Sequence, residues 1–126
     1  MTQRTDYLVL SRGRWDPEKS PAEIQQAIDD FYVWIEQHVT DGRMRHGSRL
    51  APGAKLVARG AIIDGPFTEA KEVIGGYWFI VADSLDEAAR LAAGNPCLAF
   101  GLSLEIRPLD PELASAYNRT CETSVR

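Results

Sequence analysis

Residues 61–82 read AIIDGPFTEAKEVIGGYWFIVA, and the fold turns on the second half of that stretch. From Tyr77 onward the chain alternates: Tyr77, Phe79 and Val81 point one way, and Trp78, Ile80 and Ala82 the other. A period of two marks a strand. Both of its faces are apolar, so both need cover. Gly75-Gly76 inside the strand predicts a bulge or a close backbone approach. The first half raises a different question. Asp64-Gly65-Pro66-Phe67, with Glu69, Lys71 and Glu72 beside it, either shapes a turn or carries chemistry.

Outward from this strand the remaining elements follow from periodicity and punctuation. Residues 5–13, TDYLVLSRG, read as another strand apolar on both faces. Ser20-Pro21-Ala22-Glu23 is a capping box with proline at the first helical position. Ile24, Ala27, Ile28, Phe31, Ile35 and His38/Val39 recur at helical spacing, which predicts a helix from about Pro21 to Thr40, stopped by Gly42. RMRHGSRLAP (43–52) and AKLVARGAII (54–63) predict two or three antiparallel strands joined by tight turns. Thr68–Glu72 has room for one helical turn. SLDEAARLAAG (84–94) carries a second capping box, Ser84 and Glu87, and an apolar stripe, and ends at Gly94 and Asn95-Pro96. LSLEIRP (102–108) is the last strand, and Asp110-Pro111 opens a short terminal helix that frays into a polar tail.

The order β-α-β-β-(β)-α-β predicts an α+β fold, a ferredoxin-like sandwich with an antiparallel sheet. Two helices cover one face of that sheet. The other face, carrying Tyr77 or Trp78, predicts a homodimer packed sheet to sheet, a dimeric α/β barrel. A chain of 126 residues makes one domain, residues 1–126, with the terminal helix and tail from about residue 111.

The net charge of −4 shows no nucleic-acid footprint. Its distribution is uneven: residues 42–71 hold six Lys/Arg against two acids, between two acidic flanks. A basic middle either attracts an anionic ligand or discourages edge-to-edge pairing of strands. Cys97 and Cys121 have no metal-ligand spacing, and reduced thiols in a cytoplasm are the expected state. The chain begins without a signal-like apolar region, and no stretch is long enough to span a membrane.

DGPFTEAKEVIGGYWFIVADSLDEAARLA (64–92) resembles the signature of the YCII-related proteins, in particular their DGPF branch. The resemblance rests on Asp64, Gly65, Pro66, Phe67, Glu69, Lys71, Glu72, Gly75, Gly76 and Tyr77. It continues through Glu87, Ala88, Glu105, Arg107 and Pro108. It implies a ferredoxin-like dimeric α/β barrel, mostly stand-alone in bacteria and sometimes found with sigma-factor-like transcription proteins. It implies no settled activity, although the wider group points to enzyme work by a His/Asp pair in a cleft.

Each candidate site residue has a structural and a functional reading. Asp64 before Gly-Pro is a turn carboxylate accepting backbone N–H bonds, or a general base at a strand end. Glu69 and Glu72 share a helical face with Lys71 beside them: a solvated charged turn, or a group in which Lys71 holds an anion. His46, between Arg45 and Gly47, is the natural acid/base partner for Asp64. His38 serves the end of the first helix. Trp15, Trp34 and Trp78 are core or interface residues, with Tyr77 or Trp78 lining the ligand space. Arg107 binds an anion, or pairs with Glu105 or the terminal segment. No metal and no cofactor are expected.

Two functions follow. The first is a cytoplasmic homodimer binding a small organic, anionic molecule as a cofactor-free proton-transfer or lyase-type enzyme. Asp64 would be the base, with His46, Lys71 or Arg107 stabilising charge. The second is a non-enzymatic ligand-sensing or protein-interaction module linked to transcription regulation, in which the DGPF turn is purely structural. Redox or metal chemistry at Cys97 is a weaker third.

Overall fold

A computed structural model describes residues 4–65 and 73–124. Its elements run β1 (Thr5–Arg12), α1 (Pro21–Thr40), β2 (Met44–Arg49), β3 (Lys55–Ala58), β4 (Ala61–Asp64), β5 (Ile74–Ala82), α2 (Leu85–Ala92), a 3₁₀ turn (Pro96–Phe100) and β6 (Ser103–Pro108). Four strands form one sheet in the order β2-β5-β1-β6, every neighbour antiparallel. This is the expected ferredoxin-like α+β arrangement, with the β3–β4 hairpin inserted between β2 and β5 as a separate two-stranded sheet.

Helix α1 forms where the sequence predicts it. The Ser20 hydroxyl accepts from Glu23 N–H at 3.1 Å, and the Glu23 carboxylate accepts from Ser20 N–H at 3.2 Å. Two otherwise orphaned donors are thereby satisfied, and the Glu23 carboxyl is held below its ordinary value by those bonds to Ser20. Gly42 follows the cap residue Asp41 with φ of +75°, the left-handed conformation that ends the helix. In α2 the Ser84 hydroxyl caps Glu87 N–H at 3.1 Å, while the Glu87 carboxylate reaches back to Asp83 N–H at 3.3 Å.

The period-two reading of β5 holds. Trp78, Ile80 and Ala82 are buried under the helices, and Tyr77, Phe79 and Val81 are half-buried on the opposite face. The core joins them to Tyr7 and Val9 of β1, Ile35 of α1, Met44 of β2, and Ala88 and Ala92 of α2. The alanines of α2 bring that helix close to the sheet, and the larger Phe31, Trp34 and Val39 of α1 pack at the core margin. The open face pairs Leu8 with Phe79 and Leu10 with Tyr77. At its edges Arg45 pairs with Asp6, while Arg12 and Arg107 both reach Glu105, at 2.6 and 3.1 Å.

Two irregularities fall at the same end of the sheet. Between β1 and β5, Ser11 faces Gly76 and Arg12 faces Ile74, so Gly75 is the extra residue of a bulge. Between β2 and β5, Arg45 faces Phe79 and Ser48 faces Tyr77, so His46 and Gly47 share the place opposite Trp78. The bulge expected at the paired glycines is thus present, and β2 carries a second one.

Two expectations fare differently. Among the described residues no terminal helix forms beyond Pro108; the chain there makes only bends and turns. The helix lacks a surface to bury its apolar side chains: Leu113 is 94% exposed and Tyr117 98%. A short helix without such burial is marginal in water. The helical turn expected at Thr68–Glu72 lies outside the described residues.

Candidate functional site

The bulged end of the sheet stands under α1, and between them lies a cavity of about 410 Å³. Helix α1 supplies Ile28, Phe31, Tyr32, Ile35 and Glu36; β2 supplies His46 to Arg49; β5 supplies Gly75 to Trp78. Trp15, Asn95, Cys97 and Leu102 close the far side. The floor is bare because glycines occupy it. Gly47 has no freedom to be otherwise: a Cβ there would stand 2.0 Å from the Tyr77 carbonyl oxygen. The two strands therefore approach at a distance only glycine permits.

The walls are aromatic. Phe31 meets Trp78 edge to face, with centroids 5.3 Å apart and planes at 64°, and meets Tyr32 similarly at 5.4 Å. The inner residues Ile35, Trp78 and Cys97 are buried, each 5% exposed. Among the described lining residues charge is confined to the rim. His46 Nε2 lies 3.0 Å from Glu36 Oε1, with both side chains more than half exposed, and the exposed Arg49 lies three residues on. The β2 bulge is what turns His46 toward α1, a common use of bulges beside sites.

Cys97 lies at the cavity's inner wall. Its amide donates to the Asn95 carboxamide oxygen at 2.8 Å, and its thiol to the Ala27 carbonyl at 3.6 Å. Burial, with Asp30 adding to it, pushes the thiol up to about 11. At pH 8 such a thiol is ionised roughly one time in a thousand, so it is a poor nucleophile. This weighs against redox or metal chemistry at Cys97. In the native protein Cys97 should react with Ellman's reagent at least ~100-fold more slowly than exposed Cys121. Equal rates, followed by mass spectrometry of the labelled peptides, would show that burial does not protect it.

The structure gathers some of the expected site residues and separates others. His46 and Trp78 line the cavity, and Tyr77 contributes to its rim. The ring of Tyr77 lies on the open face beside Phe79, centroids 6.1 Å apart. Trp78 faces α1 rather than the open face, and its indole N–H is buried with no acceptor among the described residues. Asp64 is not in the cavity lining. It ends β4 on the exposed hairpin, where its carboxylate pairs with Lys55. The partner of His46 is Glu36, a residue the sequence reading passed over. Arg107 also lies away from the cavity, donating to Glu105 at 3.1 Å and to the Cys121 sulfur at 3.1 Å. Those contacts hold the Arg107 guanidinium above its ordinary value and, with Arg12, the Glu105 carboxyl below its own. Lys71 and Glu69 lie outside the described residues. No group of three His, Cys, Asp or Glu able to hold a metal occurs among the described residues. No helix among them is long and apolar enough to cross a membrane.

Comparison with known proteins gives three likenesses. An uncharacterized protein of Rhizobium meliloti (strain 1021) is 34% identical over 100 residues, a match covering 71% of this chain and 78% of that protein. Among solved structures, 5-chloro-2-hydroxyhydroquinone dehydrochlorinase (TftG) of Burkholderia phenoliruptrix AC1100, in complex with 2,5-dihydroxybenzoquinone, is similar with a TM-score of 0.46 at 16% identity. That match covers 84% of this chain and 94% of the other. The model of the YCII-related domain matches residues 6–110, which is most of the chain. With that match and the Rhizobium relative together, the chain is a member of the YCII-related domain family.

Proposed function

We propose that the cavity under α1 binds a small organic molecule and that His46 moves a proton on it, as the acid/base of a cofactor-free proton-transfer or lyase-type reaction. The observation that carries this reading is the His46–Glu36 pair at the mouth of an aromatic cavity. The pair divides the labour of the imidazole. A proton on Nε2 is held by Glu36, which leaves Nδ1 to take a proton from the ligand or return one. The carboxylate also stabilises the imidazolium formed in transit. The aromatic walls hold an apolar body away from water. In this reading the base at Asp64 gives way to His46, and the hairpin carboxylate serves its ion pair with Lys55.

The same reading includes a homodimer. The open sheet face has an apolar centre of Leu8, Leu10, Tyr77, Phe79 and Val81 and a charged margin of Asp6, Arg12, Arg45, Glu105 and Arg107. An apolar centre within a polar rim is the anatomy of a protein interface. The hairpin favours the interaction-module reading as an additional role. Val57 is 73% exposed and Ile62 69%, on a two-stranded unit that is marginal by itself.

The test is a thermal-shift screen of the protein against small carboxylates, keto acids and phenolics, followed by turnover assays on any ligand found. Binding raises the melting temperature by mass action. The expected result is a hit that still binds to His46→Gln, while turnover falls ~100-fold or more. Glu36→Gln should fall less far, because the imidazole remains. A ligand whose turnover is untouched in His46→Gln would remove the acid/base role. A library without hits would leave the interaction-module reading in possession.

A further inference from the structure

Resting on the reading of this cavity as a binding site, we propose that its ligand is a small aromatic carboxylate, the ring buried beneath α1 and the carboxylate held at the rim by Arg49. Three features define that class. The cavity divides sharply into an apolar interior and a charged rim, so its ligand enters apolar end first. The lining sets the side-chain-free backbone of Gly47, Gly75 and Gly76 together with the aromatic rings of Phe31, Tyr32 and Trp78. Such an aromatic lining offers edge and face contacts to a planar ring. About 410 Å³ lies at the small end of ligand pockets, enough for a one- or two-ring molecule.

Arg49 sets the sign of the head group. The Glu36 carboxylate is engaged by His46. Arg49 has no carboxylate partner among the described residues, whereas Arg45 is paired with Asp6 and Lys55 with Asp64. Among the described residues the cavity mouth therefore offers a guanidinium without a carboxylate partner, whose planar fork fits a carboxylate with two parallel hydrogen bonds. A carboxylate at Arg49 places the ring within the cavity and its substituents toward His46, which lies three residues away on the same bulged strand.

Isothermal titration with benzoate, benzamide and cyclohexanecarboxylate separates charge from shape. Benzoate should bind at least 10-fold more tightly than benzamide, which has the ring without the charge, and than cyclohexanecarboxylate, which has the charge without the plane. Arg49→Gln should bring benzoate down to the level of benzamide, and Arg49→Lys should restore part of the loss. Arg45→Gln, on the opposite sheet face, should leave benzoate unchanged. Circular-dichroism melts confirm that the exposed Arg49 variants are folded. Benzamide binding as tightly as benzoate, or benzoate affinity unaltered in Arg49→Gln, would overturn the proposal. So would the failure of all three probes. In that case a hit of other chemistry in the screen would still uphold the cavity as a site, whereas an empty screen would remove both readings.

Discussion

Replacing Gly47 by alanine should destabilise the protein by about 3 kcal/mol and lower its melting temperature by roughly 10 °C. The added Cβ would lie 2.0 Å from the Tyr77 carbonyl oxygen and 2.7 Å from its carbonyl carbon. Neither atom belongs to a flexible tip that can swing aside. Either β2 or β5 must move, and β5 is held on its other side by β1. The displacement falls on the edge strand, so the β2–β5 hydrogen bonds around the bulge are lost and His46 loses its aim at Glu36. Ligand binding should fall with stability. Gly75→Ala is the control. A Cβ at residue 75 meets nothing within 4 Å, so that variant should melt within about 0.5 kcal/mol of the parent. Denaturant melts of both variants decide the matter. If Gly47→Ala melts with the parent, the bulge is plastic, and the close approach of β2 to β5 is not what shapes the cavity.

Much of the fold was legible because it is encoded locally. Ser20 and Glu23 mark the start of α1 without reference to anything distant, and Gly42 marks its end. The alternation of Tyr77 to Ala82 says which side of β5 meets the helices, whatever those helices are. The paired glycines announce a bulge because no packed strand interior otherwise needs two residues without side chains. The terminal helix was misread for the converse reason. Pro111 and the residues after it satisfy local rules for a helix start, but Leu113 and Tyr117 find no surface to bury them, and local preference alone does not hold so short a helix.

The site was legible only in part, because its parts meet through tertiary structure. His46 was singled out for its chemistry, but its partner is set by a bulge one residue long, and Asp64 was the nearest conspicuous carboxylate in the motif. Glu36 sits one turn beyond Tyr32 and beside Ile35 on α1, at the edge of the apolar stripe. A carboxylate at that margin, on a helix leading directly into the strand that holds the histidine, was the available signal. It is a weak one, since such positions are ordinarily solvated. Asp64, by contrast, belongs to a motif whose conspicuousness comes from its turn. The structure gives its carboxylate a local partner nine residues back, across the hairpin.

A carboxylate introduced on the open sheet face should do to assembly what alanine at residue 47 does to folding. The protein should sediment and scatter at twice its 14.0 kDa chain mass at micromolar concentration, and Phe79→Glu should return it to the chain mass. Phe79 is central to the apolar patch: Leu8 of β1 and Arg45 of β2 flank it in register, and the Tyr77 ring meets it edge to face. The neighbouring Arg45 is already paired with Asp6, so a charge buried there costs several kcal/mol, and the dimer dissociation constant should rise at least ~100-fold, about 2.7 kcal/mol. In a two-fold arrangement the loss counts twice, because each copy presents the same residue to the interface. The monomer should remain folded, because Phe79 projects away from the core formed by Trp78, Ile80 and Val9. The hairpin offers an independent check: if the second copy also covers Val57 and Ile62, amide exchange across β3 and β4 should accelerate on dissociation, since a free hairpin opens readily. A parent protein that scatters as a monomer would sink the barrel. The apolar centre of the open face would then be left to solvent or to a different partner, and the cavity under α1 would have to work within a single chain.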